Sequence, residues 1–561
     1  MNPGIYFDRI RRYLRKNAVE ETLCAIGRKT AERCGGVSGK KQRILFAMSF
    51  SIYEPCRVHD FLLAQSLRLR GAEIVPLICG KAQTGECNVF GGIWGGYTGD
   101  GEKDRAQSAK NCGKCLGWDR KLWEKWAGIS PVSLADHLSP EDVRFIDGKL
   151  GEFRDGEHRQ WRYEGMPVGQ WAVDVLINND MVGDENLVEG RSEKLRHHLR
   201  NILVLAVTVE KVLKNVRPDA IVSNDSFYYQ WAVVERLAGK LSIPFYSTWQ
   251  GGRRTGWCYA MGEPAMNLNM KPAWDSWKVR ALDRAEEERI DEFLGNRRTG
   301  GAMVLNTADP RANSGKLEDA PALDSSKPTA LLAANVIWDL AALNKEVQFG
   351  SMIEWIVETI AFFREHPEWQ LIVKAHPGEE NRKLPRTRQQ IEPEIRKAWP
   401  ELPGNVIFIP PRSRVSVYDL MDKVRVGLVY TTTVGLEMAC SGIPVVTAGR
   451  SHYHGMGFTY DTESKERYFE VVRDLLGTPM HQRNAGHCRE LARKFFGFYF
   501  FRYYSSLDFF DAGFGEEFRL HVRSIEDLSP GSNPVLDHVC DSILGHNPII
   551  EENRWPPLGK S

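Results

Sequence analysis

The stretch VGLVYTTTVGLEMACSGIPVVTAG, from Val426 to Gly449, constrains the fold more than any other part of the chain. Val426–Tyr430 is a short apolar run of the kind that fills a buried parallel strand. Thr431, Thr432 and Thr433 follow at its carboxyl end. Gly435 then opens a short helix with Leu436, Met438 and Ala439 on its apolar side. Gly442 ends that helix, Pro444 blocks its continuation, and Val445–Ala448 supplies the next strand. Such a unit belongs to an open α/β sheet. Ligands there sit beyond the carboxyl ends of strands, and helix N-termini favour anions. The run of Thr hydroxyls and free backbone N–H groups suits a phosphate, and Glu437, one turn into the helix, suits ribose hydroxyls. An ordinary βαβ unit with a Thr-rich turn reads the same way.

The pattern recurs along the chain. Arg43–Phe50 reads as a strand, His59–Leu69 as a helix and Glu73–Ile78 as a second strand. Gln170–Asn178 fits a strand or a helix, and Leu195–Leu213 is an amphipathic helix. Asp219–Ser223 and Ile243–Thr248 are further strands. A second series starts at Thr329–Val336 and continues through the helix Met352–His366 and the strands Trp369–Lys374 and Asn405–Ile409. Between the two series, residues 271–328 are the expected linker, with a helix from the 280s to Leu294 by its charge pattern and loop-like sequence after it. The expected division is a helical lead at 1–40, an α/β domain at 41–270, the linker, a second α/β domain at 329–480, and C-terminal helices and tail at 481–561.

A chain of 561 residues is too long for one core, so more than one domain is required. Its net charge of +1 gives no chain-wide electrostatic case for nucleic acid. No run of about 18 apolar residues predicts a membrane span, and MNPGIYFDRIRRYLRKN lacks the apolar core of a signal peptide. That lead is basic and aromatic. It reads as a helix packed on its domain, or as one resting on an anionic membrane surface. The 11 cysteines are scattered, which favours a reducing cytoplasm. Cys79, Cys87, Cys112 and Cys115 follow the second strand with one Cys-x-x-Cys pair. Four thiolates can enclose a structural zinc ion. Unbound or redox thiols and an iron–sulfur cluster are the alternatives.

Candidate site residues lie past strand ends. In the first half, Asn224-Asp225-Ser226 follows one strand, and Trp249-Gln250-Gly251-Gly252-Arg253-Arg254 follows the next. The glycines let backbone approach a ligand. Gln250, Gly251 and Arg253 are candidate substrate contacts, with Arg253 and Arg254 suited to a carboxylate or phosphate. A solvated loop is the other reading. In the second half, Trp338 and Asp339 follow the first strand, and Lys374-Ala375-His376-Pro377 ends the second. A loop with His452 and His454 follows Gly449.

Two such halves joined by a linker resemble the GT-B glycosyltransferases: α/β, two Rossmann-like domains facing a cleft, with C-terminal helices crossing back. From Lys374-Ala375-His376-Pro377 through Thr431-Thr432-Thr433 to Glu437, the chain resembles the capsular polysaccharide synthesis family, related to the Kdo transferases of capsule assembly. It is also similar to bacterial sialyltransferases. The resemblance covers mainly residues 329–460. It implies that Lys374, His376, Pro377, Thr431, Thr432, Thr433 and Glu437 bind the phosphate and ribose of a nucleotide-sugar donor, a CMP-sugar being favoured. Where the capsule Kdo transferases tend to carry a Gln-Pro and a downstream Asp, this chain has Ala334-Asn335-Val336-Ile337-Trp338-Asp339. The implied partners are the donor and a saccharide or glycolipid acceptor.

No Asp-x-Asp metal motif is present, so the expected transfer needs no catalytic metal or other cofactor. His376 and the Thr hydroxyls would stabilise the leaving phosphate. Asp225 and Asp339 are the candidate bases toward the acceptor hydroxyl, Asp225 reading equally as a helix cap. The expected protein is a cytoplasmic glycosyltransferase, peripheral on the inner membrane in one variant of the reading. A CDP-polyol phosphotransferase of the teichoic-acid type, a non-catalytic assembly subunit and a sugar-nucleotide epimerase are the other readings.

Overall fold

The computed structural model describes residues 3–35, 41–83, 101–299, 323–339, 342–380, 386–478, 485–513 and 517–558. The chain divides into two compact units. The first comprises Met1–Val175, Ser192–Leu268 and Phe501–Ser561, the second Leu176–Arg191 and Asn269–Phe500.

The first unit holds β1 (Arg43–Ala47), β2 (Glu73–Ile78), β3 (Val132–Ser133), β4 (Ala220–Asn224), β5 (Phe245–Gln250) and β6 (Trp257–Met261). Their order is β3-β2-β1-β4-β5-β6, parallel except for the antiparallel pair β5–β6. The second unit holds β7 (Thr329–Ala333), β8 (Gln370–Lys374), β9 (Val406–Ile409), β10 (Val426–Val429), β11 (Val445–Thr447) and β12 (Tyr460–Asp461). Here the order is β12-β11-β10-β7-β8-β9, and every neighbouring pair is parallel. In both sheets the chain winds outward on one side, returns to the centre and winds outward on the other. This is the doubly wound Rossmann order, with its crevice where the direction reverses. The switch points lie between β1 and β4 and between β7 and β10. The fold is therefore the two-Rossmann α/β layout of the GT-B proteins.

The central strands are continuously apolar because helices cover both faces. TALLA in β7 and QLIVK in β8 are buried at every position. The helix Met352–Arg364 buries Trp355, Ile356, Ile360 and Phe363, and its first turn is capped by the Ser351 hydroxyl, which accepts the Glu354 N–H.

Of the two readings of Gln170–Asn178 the helix holds, within Val168–Asp180. Other elements differ from the sequence reading. The helix expected from the 280s to Leu294 is present as Arg284–Arg298, a helix not expected, Lys271–Trp277, precedes it, and both group with the second unit. Their polar composition hid Trp274 and Trp277, both fully buried. The short strands β3, β6 and β12 were not legible. The aromatic-rich segment from Leu491 to Phe510 is α-helical to the end of Ala485–Phe498 and continues as a π-helix over Tyr499–Tyr503, and from Phe501 onward the chain counts to the first unit. Among the described residues, no helix is long and apolar enough to cross a membrane.

Candidate functional site

Parallel register places three loops of the second unit at one level. Ala333 of β7 pairs with Lys374 of β8 and with Val429 of β10. Two residues beyond each lie Asn335, His376 and Thr431. These residues, far apart in sequence, stand in a row at the carboxyl edge, across the switch point. Asn335 spans the gap, its side-chain oxygen accepting the Thr431 backbone N–H at 3.1 Å.

His376 Nδ1 accepts the Gly378 backbone N–H at 2.9 Å. In the neutral ring the proton then resides on Nε2, which becomes a donor. Burial, with help from the Lys374 charge, lowers the His376 pKa to about 4, so the ring is neutral at pH 7. Lys374 itself is buried. Its Nζ donates to the carbonyls of Ala375 at 3.1 Å and Pro410 at 3.2 Å, and burial lowers its pKa to about 8. It ties the loop after β8 to the loop after β9, whereas the sequence pattern assigned it to a donor. Pro377 starts a 3₁₀ turn, Pro377–Glu380. Glu379 in that turn accepts the Ile391 N–H, and burial raises its pKa to about 7.

The three threonines have different roles. Thr431 is 7% exposed, and its hydroxyl has no hydrogen-bond partner among the described residues. The preceding Tyr430, 1% exposed, likewise has an unpartnered hydroxyl. Buried hydroxyls are usually satisfied by protein, by ordered water or by a bound group. Thr432 is turned to the protein. Its hydroxyl accepts the Val434 N–H at 3.4 Å, and its carbonyl accepts from the Tyr453 hydroxyl at 2.7 Å. Thr433 is half-buried and precedes the helix Val434–Cys440. Glu437 is 2% exposed and paired with Arg297, Oε1 to Nε 2.5 Å. Arg297 also lies over the Phe500 ring at 4.8 Å. The carboxylate assigned to ribose from sequence is thus the anchor of the helix Arg284–Arg298.

Asp339 is exposed, six residues past the end of β7, and its carbonyl accepts the Ala342 and Leu343 N–H groups. The adjacent Trp338 is held by its indole N–H donating to Thr387 at 2.8 Å and by its carbonyl accepting from Asn178 at 3.2 Å. Asn178 lies in Leu176–Arg191, the piece of the second unit that comes from early in the chain.

In the first unit, Asp225 is fully buried. One oxygen accepts the Phe227 N–H at 2.8 Å, the other the Met266 N–H at 2.7 Å, and burial raises its pKa to about 7. The geometry is that of a loop clamp. Gln250 has its side chain engaged on both ends: the amide N–H groups donate to the carbonyls of Arg254 and Ala512, and its oxygen accepts from the Tyr53 hydroxyl. A Cβ on Gly251 would lie 2.6 Å from the Tyr504 ring, and Gly252 adds a φ of +65° against the same ring. The glycine pair makes room for Tyr504. Arg253 donates to the Tyr504 carbonyl at 3.2 Å and lies over Phe501 at 5.3 Å. Gln250, Gly251 and Arg253, the substrate contacts expected from sequence, are engaged in securing the C-terminal segment within this unit.

Cys79, Cys112 and Cys115 are half-buried, and Cys87 lies outside the described residues. Among the described residues no group of three or more His, Cys, Asp or Glu is arranged to hold a metal ion. Cys115 Sγ lies 4.0 Å from Asp119, a buried carboxyl that also accepts from the Ser51 hydroxyl and whose pKa burial raises to about 7.

Asn335, Tyr430 and Asp119 were missed from sequence. The signal for Asn335 was available: a polar residue two past the end of an apolar strand, the offset shared by His376 and Thr431.

Comparison with known proteins bears on the second unit. The family model described as capsule polysaccharide biosynthesis protein matches residues 301–475. Residues 301–475 are thus similar to that family. The match takes in all of β7–β12 with His376 and Thr431, as the resemblance led us to expect. No protein of curated function matches the chain. Among solved structures, the KpsC beta Kdo 2,4 transferase of Thermosulfurimonas dismutans is similar at 13% identity and a TM-score of 0.30, over 51% of this chain and 80% of that one. The beta Kdo 2,7 transferase of the same KpsC aligns at 18% identity and a TM-score of 0.29, over 51% and 79%. A UDP-GlcNAc 2-epimerase from Neisseria meningitidis aligns at 10% identity and a TM-score of 0.25, over 81% and 96%. The fold assignment rests on the strand order of the two sheets.

Proposed function

We propose that the chain is a glycosyltransferase of capsule polysaccharide assembly that binds a nucleotide-sugar donor, a CMP-sugar being favoured, at the carboxyl edge of the second sheet. The observation that carries this reading is the level row of Asn335, His376 and Thr431 across the switch point, with buried hydroxyls on Tyr430 and Thr431 left unpartnered. Open α/β sheets bind ligands at that place, and the groups present are neutral donors suited to phosphate oxygens. The family match over the same strands supports it.

In this reading the Nε2–H of His376 and the Thr431 hydroxyl donate to the donor's phosphate oxygens. They stabilise the charge that grows there as the glycosidic C–O bond breaks and the nucleotide leaves. The acceptor hydroxyl attacks the anomeric carbon and gives its proton to a carboxylate. Asp339, exposed beyond β7, is our assignment for that base. Asp225, with both oxygens on backbone N–H groups, serves the fold of its loop. No metal is assigned a role.

The test is turnover of CMP-sugars with a capsular glycolipid acceptor, read as CMP release and as a new glycosidic linkage. His376→Ala should reduce turnover about 100-fold, the scale of losing one oriented donor. Unchanged donor affinity and turnover in that variant would overturn the donor assignment. A phosphodiester product would instead identify a polyol-phosphate transferase.

A further inference from the structure

Asp339 is exposed and lies six residues past the end of β7. The strand alone does not hold a group at that distance, and a base works only within hydrogen-bond reach of the proton it takes. The two residues before it are gripped by the early-chain segment Leu176–Arg191 of the same unit. Asn178 Nδ2 donates to the Trp338 carbonyl at 3.2 Å. Gly183 lies so close to Ile337 that a Cβ there would come within 2.4 Å of the Ile337 side chain. Trp338 is buried, and a buried indole N–H needs an acceptor. It finds the Thr387 hydroxyl at 2.8 Å. Thr387 is also buried, and its own N–H donates to the Glu379 carbonyl at 3.0 Å. The Glu379 N–H in turn donates to the His376 carbonyl at 3.1 Å. An unbroken run of hydrogen bonds therefore joins the residue beside Asp339 to His376. The gripping segment is fastened to the same stretch. The Arg388 and Gln389 N–H groups donate to the Met181 carbonyl at 3.1 and 3.4 Å, and the Arg388 guanidinium pairs with Asp180 at 2.8 Å. Gln389 Oε1 accepts the Gly183 and Asp184 N–H groups at 2.7 and 3.1 Å. Met181 holds a φ of +57°, a left-handed conformation that a methionine keeps only where its surroundings enforce it.

We propose that Asn178, Trp338 and Thr387 are positioning residues for sugar transfer, holding the loop that carries Asp339 at a fixed separation from His376. The inference rests on the donor reading above, which gives the leaving phosphate to His376 and the acceptor proton to Asp339. Base and leaving-group donor serve the same anomeric carbon, so their separation has to match the substrate, and a displacement of about 1 Å costs up to about 100-fold in rate. Loops past strand ends are ordinarily the mobile part of such a fold. Trp338 removes that freedom. Its carbonyl and its indole N–H reach residues 160 positions earlier and 49 positions later, and the indole ties the loop after β7 to the loop after β8. None of the three residues has to touch the substrate; they act through Asp339.

Trp338→Phe keeps a ring and removes the N–H, Thr387→Val removes the acceptor, and Thr387→Ser retains it. Turnover is read as CMP release from CMP-Kdo and from CMP-N-acetylneuraminic acid with the capsular glycolipid acceptor, and CMP affinity by calorimetric titration. Trp338→Phe and Thr387→Val should each lower kcat about tenfold with CMP affinity unchanged, and Thr387→Ser should stay close to the parent. In an Asp339→Asn background, itself slowed by loss of the base, Trp338→Phe should cost no further activity, because residues that act as a unit are not additive. Parent kcat in Trp338→Phe and Thr387→Val, loss of CMP affinity in step with kcat, or the same fractional loss in the Asp339→Asn background would overturn the positioning role and leave the donor reading standing. A parent that binds CMP without turnover overturns the positioning role alone. A parent that neither binds CMP nor turns over a donor overturns the donor reading, and the positioning role falls with it.

Discussion

Asn335 Oδ1 accepts the Thr431 backbone N–H at 3.1 Å, across the gap between β7 and β10. The first sheet carries a counterpart: Asn224, at the end of β4, accepts the Phe50 N–H at 2.6 Å across the gap between β1 and β4. In each Rossmann unit a buried asparagine closes the point where no helix crosses over. Asn335→Ala should remove the acceptor and leave the Thr431 N–H buried, costing about 1–3 kcal/mol. Asn335→Asp keeps an acceptor and should retain more of the stability. Urea titration of both variants checks this, and equal losses would mean that the oxygen is not the group that matters.

The Arg297–Glu437 pair makes a second prediction. Removing one partner of a buried pair strands the other charge, at a cost of about 3–5 kcal/mol. Glu437→Ala should therefore lower the unfolding midpoint sharply, and Arg297→Met with Glu437→Leu should recover much of the loss. A Glu437→Ala protein of parent stability but weakened nucleotide affinity would restore the ribose role read from sequence.

The site was legible to the extent that function follows strand ends. His376 and Thr431 stood out because apolar runs of fixed length precede them, and parallel register does the rest. For Lys374, which the resemblance assigns to the donor, the sequence does not reveal that the long side chain turns back onto two carbonyls. The pairing of Glu437 was not legible because its partner Arg297 lies 140 residues earlier, and a separation of that length leaves no trace in the local pattern. The contacts of Gln250, Gly251 and Arg253 were hidden for the same reason, as their partners Ala512, Tyr504 and Phe501 come from the far end of the chain.

Buried titrating groups set opposing pH dependences. His376, His198 and His452 are lowered by burial to about 4, 3 and 3. The unfolded chain then binds more protons below about pH 6.5, so their contribution to stability is present above that pH and lost on acidification. Asp119, Asp225 and Glu379 are raised by burial to about 7. Between about pH 4 and 7 the folded state binds more protons at these acids, so their contribution falls as pH rises. Asp225→Asn removes one falling contribution. Its stability deficit against the parent should be larger at pH 5 than at pH 7.5, as read by urea titration at both values. A deficit independent of pH would show that Asp225 is already ionised in the folded protein.

Thr431→Val is the most direct probe of the donor site, since the hydroxyl it removes has no partner among the described residues and valine preserves the shape. CMP titrated calorimetrically into parent and variant, with EDTA present, should bind the parent and bind the variant about tenfold more weakly, with melting temperatures alike. Equal CMP affinity in the two proteins, or no CMP binding by the parent, would contradict a nucleotide-sugar site at the carboxyl edge of the second sheet.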